Sequence, residues 1–413
     1  MAKLEPLRVW LTNIHVADLV ATTNTWTLRC RYTPEALDLA PTGAPLLSCS
    51  LPLGTGRLDA SVFCNGLLPE GQHRQAMASL AGVASIDTYH LLARFGRDVA
   101  GALVIGDSPE KGRGWVEPYT AETLAAEVAE LPNRPLGLHD DSELSVAGIQ
   151  NKMLLVRLED GTWGRPVHGQ PSTHILKLDD PRHPGLVDAE ASCLRIAGAI
   201  GLTTIDPELV TIGDQRCLIV ERFDRTTVDG VVKRIHQEDI CQALARDPEA
   251  ARGRGKYEKH GGPSLTEVAE LLETWGDEPL AQLRQLLRVT TFNMAIGNAD
   301  AHGKNLALLH RDYWSVTLAP LYDTIPTVLW PRLRPTTAMT IGAKEKINTI
   351  KVTDLLAEAR RWRLPNDQAE QVVAETLDQI RAVVSEIDVL PQVRKLVVER
   401  IDQITDTSAS ASA

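Results

Sequence analysis

The chain has few features that would place it in several large protein classes. Its six cysteines, Cys30, Cys49, Cys64, Cys193, Cys217 and Cys241, are scattered, and no two stand as Cys-x-x-Cys. That argues against a zinc site and predicts small, buried thiols in a reducing compartment. No stretch approaches the roughly 18–20 apolar residues of a membrane span. Met1–Leu7 has no apolar signal core. A cytoplasmic protein without membrane association is the expectation. Positive charge is in deficit: 43 Lys and Arg against 54 Asp and Glu give a formal charge of −11. Such a balance disfavours a general nucleic-acid surface, which needs clustered cations. It does not disfavour a small anion met by one or two lysines. Aromatic residues make up 4%.

What is present suits a globular protein of two or three domains: 413 residues, 43% hydrophobic and 23% charged. The fold class expected is α+β. Residues 1–110 read as a small α+β module, with alternating strands at Leu7–Leu11 and Trp26–Tyr32 and a helix near Gln75–Ala84. Residues 111–142 read as a connector with a short helix near Ala121–Leu131. From 143 to 225 the order is strand, strand, helix, strand, strand: Lys152–Leu158, Thr173–Leu178, Asp188–Ala199, Leu209–Ile212 and Cys217–Glu221. That is the order of a kinase small lobe. Residues 226–405 read as a helical large lobe that turns helical after residue 236, with amphipathic stretches at Leu265–Trp275 and Pro279–Ile296 and three more near 351–362, 366–388 and 391–404. A hairpin across Arg311-Asp312 would deliver Asp323. The segment 406–413 reads as a disordered tail.

The chemistry concentrates in Gly297-Asn298-Ala299-Asp300-Ala301-His302-Gly303-Lys304-Asn305 and in Tyr322-Asp323. Asp, then Asn, then Asp is the order in which a protein kinase places a residue facing the substrate hydroxyl and two magnesium ligands. Asp300 would take the first role, and Asn305 and Asp323 the others, as hard oxygen donors suited to Mg²⁺. The bland alternative is that Asn298 and Asp300 cap a turn. His302 and Lys304 are candidate nucleotide contacts. Lys177 ends an apolar strand, where it would point inward and need an anion, the alternative being a strand-end lysine in solvent; Lys152 is a second candidate. Glu190, inside the following helix, could pair with Lys177, or could be a solvated helix-face glutamate. Ser145-Val146-Ala147-Gly148 precedes a strand, and its backbone at Val146, Ala147 and Gly148 could approach phosphate. With one glycine it is no Walker loop. Glu221 and Phe223, after an apolar strand, are candidate hinge residues meeting adenine through main-chain atoms.

Taken together, these segments resemble the HipA-like serine/threonine kinases, toxins of bacterial toxin–antitoxin pairs. Phe63-Cys64-Asn65-Gly66-Leu67-Leu68-Pro69-Glu70-Gly71 is similar to that family's N-terminal signature, with Gly66 as an extra residue. Ser145–Lys152 resembles its phosphate loop, with Asn151 where Glu is common. Thr173–Lys177 resembles the lysine strand, Val220–Arg225 the hinge, and His236–Asp239 and Lys256-Tyr257-Glu258 the next blocks. Gly297–Asn305 and Tyr322-Asp323 resemble the catalytic and metal segments.

The resemblance implies a two-lobed kinase core behind an N-terminal module, with ATP and Mg²⁺ as cofactors. It implies Asp300 as base, Asn305 and Asp323 on metal, Lys177 on phosphate and Ser145 as an autophosphorylated serine. The implied partners are a protein substrate such as an aminoacyl-tRNA synthetase, whose loss arrests translation and yields drug-tolerant cells, and a helix-turn-helix antitoxin. DNA would be reached only through that antitoxin. Two other readings use the same residues: a sugar or antibiotic phosphotransferase, and a non-catalytic scaffold for antitoxin and DNA.

Overall fold

The computed structural model describes residues 4–109, 114–145 and 150–406. They form two compact units. One gathers residues through Asp180 with Leu209–Ala245 and Leu309–Ser315; the other gathers Pro181–Glu208, Arg246–Leu308 and Val316 onward. No helix among the described residues is long and apolar enough to cross a membrane. All six cysteines are thiols, and all but Cys49 are buried.

The first unit contains two sheets. Strands β1 (Leu7–Leu11), β2 (Ile14–Ala21), β3 (Leu28–Tyr32), β4 (Arg57–Asp59) and β5 (Leu103–Ile105) pair antiparallel in the order β4-β3-β2-β1-β5. Leu7, Val9 and Leu11 alternate inward, as the sequence pattern requires of a half-buried strand. The Phe63–Gly71 signature packs beneath them, with Phe63, Cys64, Leu67 and Leu68 buried. Its extra glycine has a packing reason: a Cβ on Gly66 would lie 2.5 Å from Cγ of Gln242.

The second sheet runs β10-β11-β9-β7-β8-β6. Its strands are β6 (Trp115–Pro118), β7 (Lys152–Arg157), β8 (Trp163–Val167), β9 (His174–Leu178), β10 (Glu208–Ile212) and β11 (Gln215–Glu221). The 111–142 stretch thus supplies β6, paired with β8, and the Ala121–Glu130 helix. A Thr120–Thr123 capping box starts that helix. Its Leu124 and Val128 pack with Met153, Leu155, Leu176, Leu178, Cys217 and Ile219 on one sheet face. Leu154 and Ile175, on the opposite face, join the apolar cluster of the N-terminal module. Cover on both faces explains why Met153–Val156 reads as a continuous apolar run.

Charge also joins the module to the segment after β11. Arg222 grips Asp224 with Nε at 2.9 Å and Nη2 at 2.8 Å. Arg225 Nη2 reaches Asp98 Oδ1 at 2.9 Å. Asp98 also accepts from the Ser172 hydroxyl, at 2.7 Å, and Asp224 from the Gly101 amide, at 2.7 Å. Asp98, Arg222, Asp224 and Arg225 are all buried. Burial alone would push both carboxyls up, but the neighbouring guanidiniums hold them below the usual carboxylate range. An antiparallel hairpin follows, Arg225–Val228 with Val231–Arg234, in a stretch for which the sequence pattern names no element.

The second unit is helical: Leu186–Ala199, Leu265–Trp275, Pro279–Ile296, Val352–Arg361, Asn366–Glu386 and Pro391–Thr405. Pro279 stands at the start of its helix, where its missing N–H costs nothing. Every residue from Val289 to Ile296 is buried, so that helix is the axis of the unit. It stops at Gly297, whose φ of +75° is left-handed. A side chain there would also strike Val328. Arg400, from the last helix, donates to the Met294 carbonyl at 3.1–3.2 Å and to Ile347 O at 2.9 Å. A buried cation therefore satisfies carbonyls at the C-terminal end of the axial helix, where the dipole favours it. The 407–413 part of the expected tail lies outside the described residues.

Candidate active site

Gly297 releases the chain into a loop fixed by main-chain bonds on several sides. Val328 N donates to Gly297 O, Ala338 N to Ala299 O, and Ala299 N to the Thr327 hydroxyl at 2.8 Å. Asn298 is buried; its Nδ2 donates to Asn293 Oδ1, and its Oδ1 accepts the Asp300 amide at 3.0 Å. The turn-capping job therefore falls to Asn298. Asp300 is half-buried, and its Oδ1 accepts the Tyr257 hydroxyl at 2.7 Å.

Asn305 comes back to the same residue: its Nδ2 donates to the Asp300 carbonyl at 3.0 Å. In that orientation the amide nitrogen faces the loop, and Oδ1 is the atom turned away. The Tyr322 hydroxyl donates to Lys304 O at 2.7 Å, so the residue before Asp323 is tied to the residue before Asn305. Asp323 is half-buried with φ +52°, a left-handed backbone uncommon outside glycine. Backbone held in such a region tends to mark functional sites. Two hard oxygen donors tethered to one loop suit a magnesium-type ion. His302 and Lys304 are buried within the loop, and His302 meets the Tyr257 ring edge-on at 5.3 Å.

In the first unit, Lys152 and Lys177 face each other directly across β7 and β9, both buried. Directly opposed residues hold their Cβ atoms about 4.5–5.5 Å apart. Both lysines therefore leave the sheet on the same face. Alternation after β11 turns Arg222 and Asp224 inward, leaving Glu221 exposed and Phe223 half-buried. Glu190 is buried within its helix, which excludes the solvated-face alternative. Ser145 is buried; its hydroxyl donates to Leu67 O at 2.9 Å and its amide to Asp98 O. Val146, Ala147 and Gly148 lie outside the described residues.

Sequence reasoning assigned no role to Tyr257, Asp98 or Arg400. Lys256-Tyr257-Glu258 was visible as a block, but nothing local connects a tyrosine to a carboxylate 43 residues onward.

A β-rich unit carrying opposed lysines, and a helical unit carrying an Asp-Asn loop, define a protein-kinase-like two-lobed fold. Residues 144–384 match the HipA-like C-terminal domain, and residues 7–106 match the HipA N-terminal domain. The chain belongs to the HipA-like kinase family. The Y4mE protein of Sinorhizobium fredii is 41% identical over 310 residues, 72% of each chain. The serine/threonine-protein kinase toxin HipA of Shewanella oneidensis is 29% identical over 387 residues, 89% of this chain and 85% of that one. A solved structure of HipA from Shewanella oneidensis MR-1, in complex with HipB and operator DNA, superposes with a TM-score of 0.78. It covers 96% of this chain and 95% of that one at 24% identity. The chain is a kinase of this family.

Proposed function

We propose that this kinase transfers the γ-phosphoryl group of ATP to a serine or threonine hydroxyl of a protein and acts as a toxin. Asp300 orients the acceptor hydroxyl and takes its proton as the oxygen bonds to phosphorus and the bond to the β-phosphate oxygen breaks. Asn305 and Asp323 are the metal ligands. Bound Mg²⁺ would neutralise charge on the phosphate oxygens. Lys177 and Lys152 hold phosphate, with Glu190 pairing to Lys177. Val146, Ala147, Gly148, His302 and Lys304 are further nucleotide contacts, and Glu221 and Phe223 offer main-chain atoms to adenine. What carries this reading is the tie of Asn305 to the Asp300 carbonyl, next to the Tyr322–Lys304 bond.

The proposed target is a translation component such as an aminoacyl-tRNA synthetase, and the proposed partner a helix-turn-helix antitoxin that contacts DNA. The HipB and operator of the solved relative support that partner class. Labelled ATP added to the purified chain and a bacterial lysate should mark one dominant protein, identifiable by mass spectrometry. No label above that of an Asp300→Asn control would refute the kinase reading.

Ser145 is the proposed autophosphorylation site and off switch. Its hydroxyl is buried against Leu67 O, so a phosphate of about −1.5 to −2 charge has no place there. Modification would keep the segment out of its seat and weaken nucleotide binding. Ser145→Asp should lower ATP affinity by calorimetry, whereas unchanged affinity would count against the switch.

A further inference from the structure

Asp300 has a support that the family signature does not explain. The Tyr257 hydroxyl lies 2.7 Å from Asp300 Oδ1, within one compact unit. Tyr257 sits in a rigid setting. Lys256 O accepts the Gly303 amide. Tyr257 O accepts the amides of His260 and Gly262. Glu258, next in sequence, accepts both the amide and the hydroxyl of Thr340, at 2.6 and 2.9 Å. The ring stands at 89° to His302, two residues past Asp300. The 256–262 segment is thus bonded to the catalytic loop and to the 336–341 strand independently of the Tyr257 hydroxyl.

An aspartate carboxylate turns easily, because its terminal torsion is broad and roughly two-fold. A general base must instead keep one oxygen within hydrogen-bond reach of the proton it takes. A phenol on a stiff ring can supply that constraint, and a bond from it to a carboxylate is charge-assisted.

We infer that Tyr257 is a positioning residue for phosphoryl transfer: its hydroxyl fixes Asp300 Oδ1, so that Oδ2 is presented to the acceptor hydroxyl. The inference rests on the proposed role of Asp300 as base. It assigns the Lys256-Tyr257-Glu258 block a task in turnover and none in nucleotide affinity.

The test is Tyr257→Phe, which keeps the ring against His302 and removes only the hydroxyl. Initial rates of label transfer from ATP to a bacterial lysate are measured against ATP concentration, beside melting temperature. A lost charge-assisted bond of about 1.5–3 kcal/mol corresponds to a roughly ten- to hundred-fold fall in kcat. KM for ATP and the melting temperature should stay unchanged. In an Asp300→Asn background, Tyr257→Phe should cost nothing more, since the group it positions is gone. A wild-type kcat in Tyr257→Phe, with Asp300→Asn inactive, would overturn the inference and leave Asp300 standing. A raised KM or a lowered melting temperature accounting for the loss would overturn it in favour of a structural role. Phosphate found on Tyr257 would overturn it by making the hydroxyl an acceptor. Full activity in Asp300→Asn would bring down the assignment of the base itself.

Discussion

The segment after β11 and the Asp300 loop, one in each unit, differ in the bonds seen to fix them. In the first, the segment after β11 is fixed by full charges: Arg222, Asp224, Arg225 and Asp98 are buried together. In the second, the bonds that fix the Asp300 loop include neutral main-chain and amide bonds, and its carboxylate stays half exposed. A buried ion cluster costs several kcal/mol per ion in desolvation and holds only with every partner present. Amide bonds cost less, and the Asp300 carboxylate they surround stays half exposed.

Three measurements sharpen that contrast, beginning with the largest effect. Asp300→Asn should lower the rate of label transfer by about 10²–10⁴-fold while leaving the melting temperature in place. A large fall in melting temperature would mean that the loop also depends on charge. Arg222→Met should do the reverse. It leaves Asp98 and Asp224 short of compensation and should cost about 3–5 kcal/mol in urea unfolding. A loss below about 1 kcal/mol would show that the cluster is slack.

The smallest effect is acid. Asp98 and Asp224 titrate below their ordinary range in the folded chain, near 3.9 when unfolded. Their contribution is therefore complete above about pH 4 and fades as pH falls through the lower folded values. The urea midpoint should drop as pH falls below about 4, and drop less in Arg222→Met. An identical drop in both would place the acid-sensitive groups elsewhere.

Much of this was legible in the sequence where the signal is local. Leu265–Trp275 and Pro279–Ile296 are found at the expected boundaries because capping, Pro279 and Gly297 mark their ends. The burial of Lys177 followed from its place at the end of an apolar strand. The Arg225–Arg234 hairpin was missed, although Asp229-Gly230 is a turn signal with both residues at positive φ. Its strands carry Thr226, Thr227 and Lys233 on exposed faces, so little hydrophobic alternation shows. Asp98 was illegible for a different reason. Its arginine partners Arg222, Arg225 and Arg234 stand 124 to 136 residues away, and an aspartate in a loop gives no sign of what it will meet.

That aspartate has a consequence for how the protein can be dissected. A version trimmed to the segment resembling the C-terminal domain would begin after Asp98 and keep both arginines. Arg222 and Arg225 would keep Asp224 but lose the buried Asp98 carboxylate that now shares their charge. Such a fragment should be scarce in soluble extracts and should recover when the missing residues 1–143 are supplied as a separate polypeptide.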